Sequence, residues 1–262
     1  LERGNSTVFF SATLLPVNYY KNLLSSKKDN YAVYADSAFK EEQRLLFIGR
    51  DVSSLYTRRT IGEFHRIALY IQQVLRAKKG NYLIFFPSYR FMEDVYEQFL
   101  AINEREADCI MQNGNMNEAE REEFIQEFAE PREKSLAAFC VLGGIFSEGI
   151  DLKEDLLIGV LIVGTGLPQI CTKREILKEY YQKENEQGFD YAYQYPGMNK
   201  VLQAAGRVIR TASDRGIIGL LDERFLRSDY RQLFPREWSQ YEVHTLDSLP
   251  GALEAFWNLC KG

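Results

Sequence analysis

The sequence predicts an α/β domain, a doubly wound, mainly parallel sheet flanked by helices, on three observations. Residues 7–10, 83–86, 136–142, 157–163 and 217–221 are short, nearly uninterrupted apolar runs, the pattern of strands buried on both faces of a parallel sheet. Between them the apolar residues recur at helical spacing. Several of these stretches open on Thr or Asn with Glu at the third position after it, a capping-box signal. Strand and helix in alternation imply parallel pairing through helical crossovers, and sites in such sheets gather at the carboxyl ends of the strands.

In chain order, the run at 7–10 places Phe9 and Phe10 in a core and leads into Ser11-Ala-Thr13. Residues 25–30 are polar and, with the irregular segment up to Gln43, read as a connector, dividing the chain into residues 1–40 and a main body, residues 41–262. Thr60 and Glu63 open a helix whose buried stripe is Phe64, Ile67, Ala68, Ile71, Val74 and Leu75. The run at 83–86 and Phe139 in the run at 136–142 belong to the core. Asn117 and Glu120 start an acidic, solvated helix that packs through Phe124, Ile125 and Phe128, and Thr172 with Glu175 repeats the start signal. Residues 182–188 read as a charged loop or frayed helix end. Tyr191, Tyr193 and Tyr195 alternate on one side of an extended stretch, either to stack on bases or to pack a loop onto the core. Leu253, Phe256, Trp257 and Cys260 form a final helical stripe that docks on the sheet.

Composition excludes several classes. No apolar run reaches the roughly 18 residues of a membrane span, and the start lacks a signal peptide, so the chain reads as cytoplasmic. It opens on Leu1, which suggests a piece of something longer. A net charge of −5 argues against coating nucleic acid by bulk electrostatics. Cys109, Cys140, Cys171 and Cys260 are scattered, with only His65 and His244 to assist, so no metal site and no disulfide framework is expected.

Four stretches carry candidate chemistry. Pro87-Ser88-Tyr89 ends a strand, and Ser88 either caps the next helix or grips a phosphate with that helix's amides. Gly143-Gly-Ile-Phe-Ser-Glu-Gly-Ile-Asp151 brings backbone N–H groups close to an anion, with Ser147 adding a hydroxyl and Asp151 able to accept from a ribose or orient an arginine. At about 100° per residue Gln203, Arg207 and Arg210 share one helical face, opposite Val201, Leu202, Ala205, Val208 and Ile209; that is a mount for an anion, or a solvated surface helix. Residues 217–223 imitate the end of a magnesium-binding strand with Asp222-Glu223, a reading set aside because the chain has no G-x-x-x-x-G-K-S/T phosphate loop.

Together these stretches resemble the second RecA-like lobe of a superfamily 2 helicase of the DinG and XPD family. Ser11-Ala-Thr13 resembles motif III, Phe85-Phe-Pro-Ser-Tyr89 motif IV, Phe146-Ser-Glu-Gly-Ile-Asp-Leu152 motif V, and Gln203-x-x-Gly206-Arg207-x-x-Arg210 motif VI, followed by Leu221-Asp-Glu-Arg-Phe225. The resemblance implies a P-loop NTPase-like fold. Residues 1–40 would hold the terminal strand and helix of lobe 1 plus a connector, and residues 41–262 lobe 2. It implies an ATP-dependent DNA helicase, 5′ to 3′ by family alone, with Arg207 and Arg210 as arginine fingers and Gln203 supporting them. Gly149, Asp151 and Gly206 would lie at the nucleotide, Ser88, Tyr89 and Ser147 on single-stranded DNA, and Ser11 and Thr13 would couple the lobes. ATP and Mg2+ would sit mainly on the first lobe, a partner this chain does not contain, so the fragment alone should hydrolyse no ATP. No iron-sulfur cluster and no membrane partner are implied, and a bacterial form would be nucleoid-associated. The alternative is a RecA-like module that binds nucleic acid or protein without ATP turnover.

Overall fold

In the computed structural model, residues 6–25, 30–148 and 156–258 are described, the side chains of residues 147 and 148 excepted. Among them seven strands pair in one sheet: β1 Arg44–Gly49, β2 Asn81–Phe86, β3 Ala107–Met111, β4 Ser135–Val141, β5 Gly159–Val163, β6 Gly216–Leu221 and β7 Glu242–His244. Their order is β3-β4-β2-β5-β6-β1-β7, and every ladder is parallel. The helices are α1 Val17–Leu24, α2 Ile61–Ala77, α3 Tyr89–Ile102, α4 Glu118–Gln126, α5 Ile145–Glu148, α6 Thr172–Asn185, α7 Tyr195–Ala205, α8 Ser228–Arg231 and α9 Leu249–Asn258. A π-helical turn, Asp190–Gln194, runs directly into α7. The doubly wound α/β class is therefore the observed one. No described helix is long and apolar enough to cross a membrane.

Successive residues of a strand face opposite sides of a sheet, and the central strands are apolar on both. From β2, Leu83 and Phe85 enter the layer beneath α7 and α8, with Phe124 of α4 and Phe146 of α5. Tyr82, Ile84 and Phe86 enter the other layer, with Ile67 and Ile71 of α2, Phe91 and Phe99 of α3, and Leu253 of α9. Helix starts follow the sequence in part. The Thr60 hydroxyl accepts from the Glu63 N–H, and Asn117 with Glu120 makes the full capping box. At α6 the capping position falls on Cys171, and Thr172 is the first helical residue.

Several expectations are corrected. Residues 7–10 form no strand, and Phe9 and Phe10 are 48% and 91% exposed rather than in a core. An extended segment is stable only where a neighbour takes its backbone N–H and C=O groups, and this one pairs with no described strand. Strands β1, β3 and β7 have no counterpart among the predicted runs. Both β3 and β7 are sheet edges with exposed residues, so they lack the uninterrupted apolar signature. The three tyrosines lie in helix, not in an extended stretch: Tyr191 stacks 4.1 Å from Tyr181 and meets Tyr195 at 5.4 Å, while the Tyr193 hydroxyl donates to Glu175. They pack onto the body, the second of their two readings. Leu253 and Phe256 are buried against α2, and Cys260 lies outside the described residues.

The amino ends of β5 and β6 meet with no space for a side chain at Gly216. A Cβ there would lie 2.3 Å from Val208 Cγ1 and 2.6 Å from the Ile158 carbonyl oxygen. Because the second obstacle is backbone, Gly216→Ala should cost about 1–3 kcal/mol, as overpacking does. Urea unfolding checks this, and an unchanged midpoint would contradict it.

Candidate functional site

Parallel pairing puts all seven carboxyl ends on one edge of the sheet and all amino ends on the other, and the candidate residues divide between the two edges. At the carboxyl edge, chain leaving β2 enters α3 on one face while chain leaving the adjacent β4 enters α5 on the opposite face. Such a reversal opens a crevice, the usual ligand position in open α/β sheets. Ser88 lies on its rim and accepts from the Phe91 N–H at 3.3 Å, which is N-cap geometry. Tyr89, 36% exposed, accepts at its hydroxyl from Gln112 Nε2 at 3.1 Å. Buried Gln112 follows β3, and its Oε1 accepts from the Val141 N–H at 2.9 Å. The turn after β4 needs glycine. Gly143 has φ +77, and a Cβ on it would lie 2.6 Å from Lys200 Cε.

The arginines lie at the amino edge. Their placement on a single helical face is corrected, because α7 ends at Ala205 and Gly206 caps it with its N–H on the Leu202 carbonyl at 2.9 Å. Gln203 is on the helix, whereas Arg207 and Arg210 lie in the following loop, before β6. Of the predicted apolar face, Val201, Leu202, Ala205 and Val208 are buried and Ile209 is partly buried. This loop, which leads into β6, is at the opposite end of the sheet from the crevice.

Two residues outside the sequence reading shape the arginine loop. Asp214 Oδ2 accepts from the N–H groups of Arg210 at 2.7 Å and Thr211 at 2.8 Å, and its Oδ1 accepts from the Thr211 hydroxyl. Burial opposes ionisation of Asp214, but these hydrogen bonds and the Arg210 charge outweigh it and hold the carboxyl below its ordinary range. Buried Gln43, just ahead of β1, donates to the carbonyls of Thr211, Ala212 and Asp214, the last at 2.8 Å. Thr211 and Asp214 sit at local turn spacing, a signal legible in the sequence. Gln43 is 168 to 171 residues away and gave none.

Gly149 and Asp151 lie outside the described residues, as does the Ser147 side chain, although the Ser147 backbone is in α5. Ser11 Oγ accepts from the Thr13 N–H at 3.2 Å in a local turn. At the end of β6, Asp222 is fully buried and accepts from Ser54 N–H at 2.8 Å, Ser54 Oγ at 2.9 Å and Arg224 Nε at 2.8 Å. Its lone pairs go to donors of its own chain. Burial raises the Cys140 thiol, and raises that of Cys109 to about 11, so both are protonated small side chains at neutral pH.

A doubly wound parallel sheet with a switch-point crevice on one edge and a braced arginine loop on the other defines a RecA-like lobe. Residues 71–241 match the helicase C-terminal domain, and the chain belongs to that family, as the C-terminal lobe of its XPD and DinG branch. It is 28% identical over 229 residues to the ATP-dependent DNA helicase XPD of Sulfolobus acidocaldarius, covering 84% of this chain and 39% of that protein. It is 27% identical over 250 residues to the 3′-5′ exonuclease DinG of Staphylococcus saprophyticus, covering 92% of this chain and 26% of that one. A solved apo XPD superposes with a TM-score of 0.63 at 24% identity over 78% of this chain and 40% of that one, a likeness of fold. The chain thus spans well under half the length of these relatives.

Removing the internal brace should loosen the arginine loop. Asp214→Ala is expected to lower stability by about 2 kcal/mol at pH 7, the scale of hydrogen bonds to a charged group. A carboxyl with a depressed folded pKa contributes fully above its unfolded value of ~3.9 and loses that contribution as pH falls toward the folded value. The gap between wild type and variant should therefore narrow below about pH 4 in denaturant titrations; a gap independent of pH would remove the ionised carboxylate from the account.

Proposed function

We propose that this chain is the second motor lobe of an ATP-dependent DNA helicase. The observation that carries the reading is the arginine loop, braced by Asp214 and Gln43 and mounted on the same helix, α7, whose Lys200 reaches the opposite edge's crevice. ATP and its Mg2+ are bound mainly by the companion lobe. Arg207 and Arg210 close over the γ-phosphate, with Gln203 and Gly206 supporting the loop and Gly149 and Asp151 at the ribose. Single-stranded DNA lies along the carboxyl edge, its backbone held by Ser88, Tyr89 and Ser147. Ser11 and Thr13 carry the coupling to lobe 1, to which residues 1–40 contribute.

The chemistry suits this division. Phosphoryl transfer is catalysed chiefly by positioning and by cations placed where negative charge spreads, and an arginine supplied from a second surface contributes roughly 10³–10⁵ in rate. A planar guanidinium holds two phosphate oxygens at once and keeps its charge, which lysine does not match. A loop held by several hydrogen bonds keeps such a cation oriented before ATP arrives. A module that only bound nucleic acid would have no use for that rigidity at the edge remote from the crevice.

In the intact protein, Arg207→Ala or Arg210→Ala should reduce DNA-stimulated ATP hydrolysis by about 10³-fold or more, and lysine should not restore it. Affinity for single-stranded DNA, measured by anisotropy without nucleotide, should stay within about twofold, because the arginines lie at the opposite edge of the sheet from the crevice, farther than the screening length of about 8–10 Å. Parallel loss of hydrolysis and DNA binding would instead assign the arginines to the DNA.

A further inference from the structure

The crevice at the carboxyl ends of β2 and β4 contains a hydrogen-bond chain whose polarity the backbone dictates. The Val141 amide, a donor only, gives its N–H to Gln112 Oε1 at 2.9 Å. That bond fixes which end of the side-chain amide is oxygen, so its NH2 group must face Tyr89, 3.1 Å from the hydroxyl. The Tyr89 oxygen therefore accepts, and its own proton is directed to some other acceptor; the described residues supply none. Burial raises this phenol above its ordinary value, so the proton is retained at neutral pH. The ring lies over Gly114, where an added Cβ would stand 3.5 Å from it.

A cation reaches the same crevice from α7. The stem of Lys200 occupies the space over Gly143, with Nζ 2.7 Å and Cε 2.6 Å from where a Cβ would be. The neighbouring Gly144 is less tightly enclosed, a Cβ there lying 3.2 Å from Gln112 Nε2. The Lys200 ammonium and the amide-oriented phenol thus approach the turn after β4 from two sides, one over Gly143 and the other through Gln112 at Gly144. A fixed proton donor and a positive charge at the same turn fit an anionic oxygen on a chain passing through.

We infer that Tyr89 and Lys200 clamp one phosphodiester of the single strand, with Gln112 as the positioning residue that makes Tyr89 a donor. This rests on the single-strand reading above. Neither Gln112 nor Lys200 was marked by the sequence motifs, because one follows an edge strand and the other lies within a helix. Their roles come from side-chain contacts across the sheet.

The test is a mutant cycle in the intact protein, with binding of an oligothymidine read by anisotropy over a salt series. Tyr89→Phe should weaken binding roughly tenfold, as loss of a hydrogen bond to a charged group does. Gln112→Glu preserves an acceptor for the Val141 amide but also accepts the Tyr89 proton. In that background Tyr89→Phe should therefore cost nothing further, and comparison within the background cancels the added carboxylate's repulsion. Lys200→Gln should lower the slope of log K against log salt by about 0.7, the value of one phosphate contact on a single strand. Replacing single phosphates by neutral methylphosphonates should erase the Lys200 effect at one register only. An equal cost of Tyr89→Phe in both backgrounds, or an unaltered salt slope for Lys200→Gln, overturns the clamp while leaving single-strand binding standing. Absence of salt-dependent binding by wild type overturns both. Thermal melts of each variant guard against misfolding, and Lys200→Gln, at a partly exposed position, decides the charge contact even if Gln112→Glu unfolds.

Discussion

Parallel pairing is the constraint from which the remaining architecture follows. A parallel ladder cannot be closed by a tight turn, so each strand must be followed by a crossover that returns the chain to the starting edge. Seven such strands give one edge made of departures and another made of arrivals. Departing loops open into helix N-termini and glycine turns, with Ser88, Tyr89, Gly143 and Gly144. Arriving loops follow helix C-termini, and Arg207 and Arg210 belong to one of them. The two groups of candidate residues are thus kept apart by the length of a strand, six residues in β2 and in β6, or roughly 20 Å at about 3.3 Å per residue.

Close approaches then hold each edge in shape. Gly216 lets Val208 seat against the start of β6, anchoring the arginine loop from below. Gln43 ties the same loop to the entry of β1. At the other edge Gly166 has φ +70, and a Cβ on it would meet the Gly197 carbonyl oxygen at 2.5 Å, so α7 begins in direct contact with the turn after β5. These contacts are worth less as energy than as geometry. A hydrogen bond contributes about 1 kcal/mol net, yet one buried NH2 group whose two protons are shared among three loop carbonyls leaves the loop few alternative conformations.

The sequence made the class of fold legible because β2, β4, β5 and β6 are buried on both faces and leave apolar runs that no surface element would tolerate. It hid β3 and β7, which are edge strands with exposed positions, and it overstated residues 7–10, where apolar composition is not matched by pairing. For the candidate site, spacing read Gln203, Arg207 and Arg210 as one helical face, whereas both arginines lie beyond the helix end. Helical periodicity extrapolates past a helix end, and the cap at Gly206 lies inside the very motif that was read as helix. Gln43, Gln112 and Lys200 were invisible for a different reason. Each matters through a partner brought near by the sheet, and periodicity holds no record of distant pairs.

α7 is the element on which these observations converge. Its first turn presses on the turn after β5, Lys200 lies over the turn after β4, Gln203 precedes the cap, and the arginine loop hangs from its end. The same helix is gripped from outside. Asn199 donates to the Tyr20 hydroxyl of α1, while Asn22 donates to Tyr191 at 2.8 Å in the turn that feeds α7, and Tyr19 meets Tyr191 and Tyr195 edge-on at 5.0 and 5.2 Å. A helix of 11 residues is roughly 16 Å long and too short to bend appreciably. A displacement imposed through α1 or at the crevice must therefore either be transmitted along α7 to the arginines or break one of these contacts. Packed interiors favour the first, because they shift between discrete arrangements rather than deforming continuously. α7 is thus one rigid element that touches the turns after β4 and β5 and carries the arginine loop at its end.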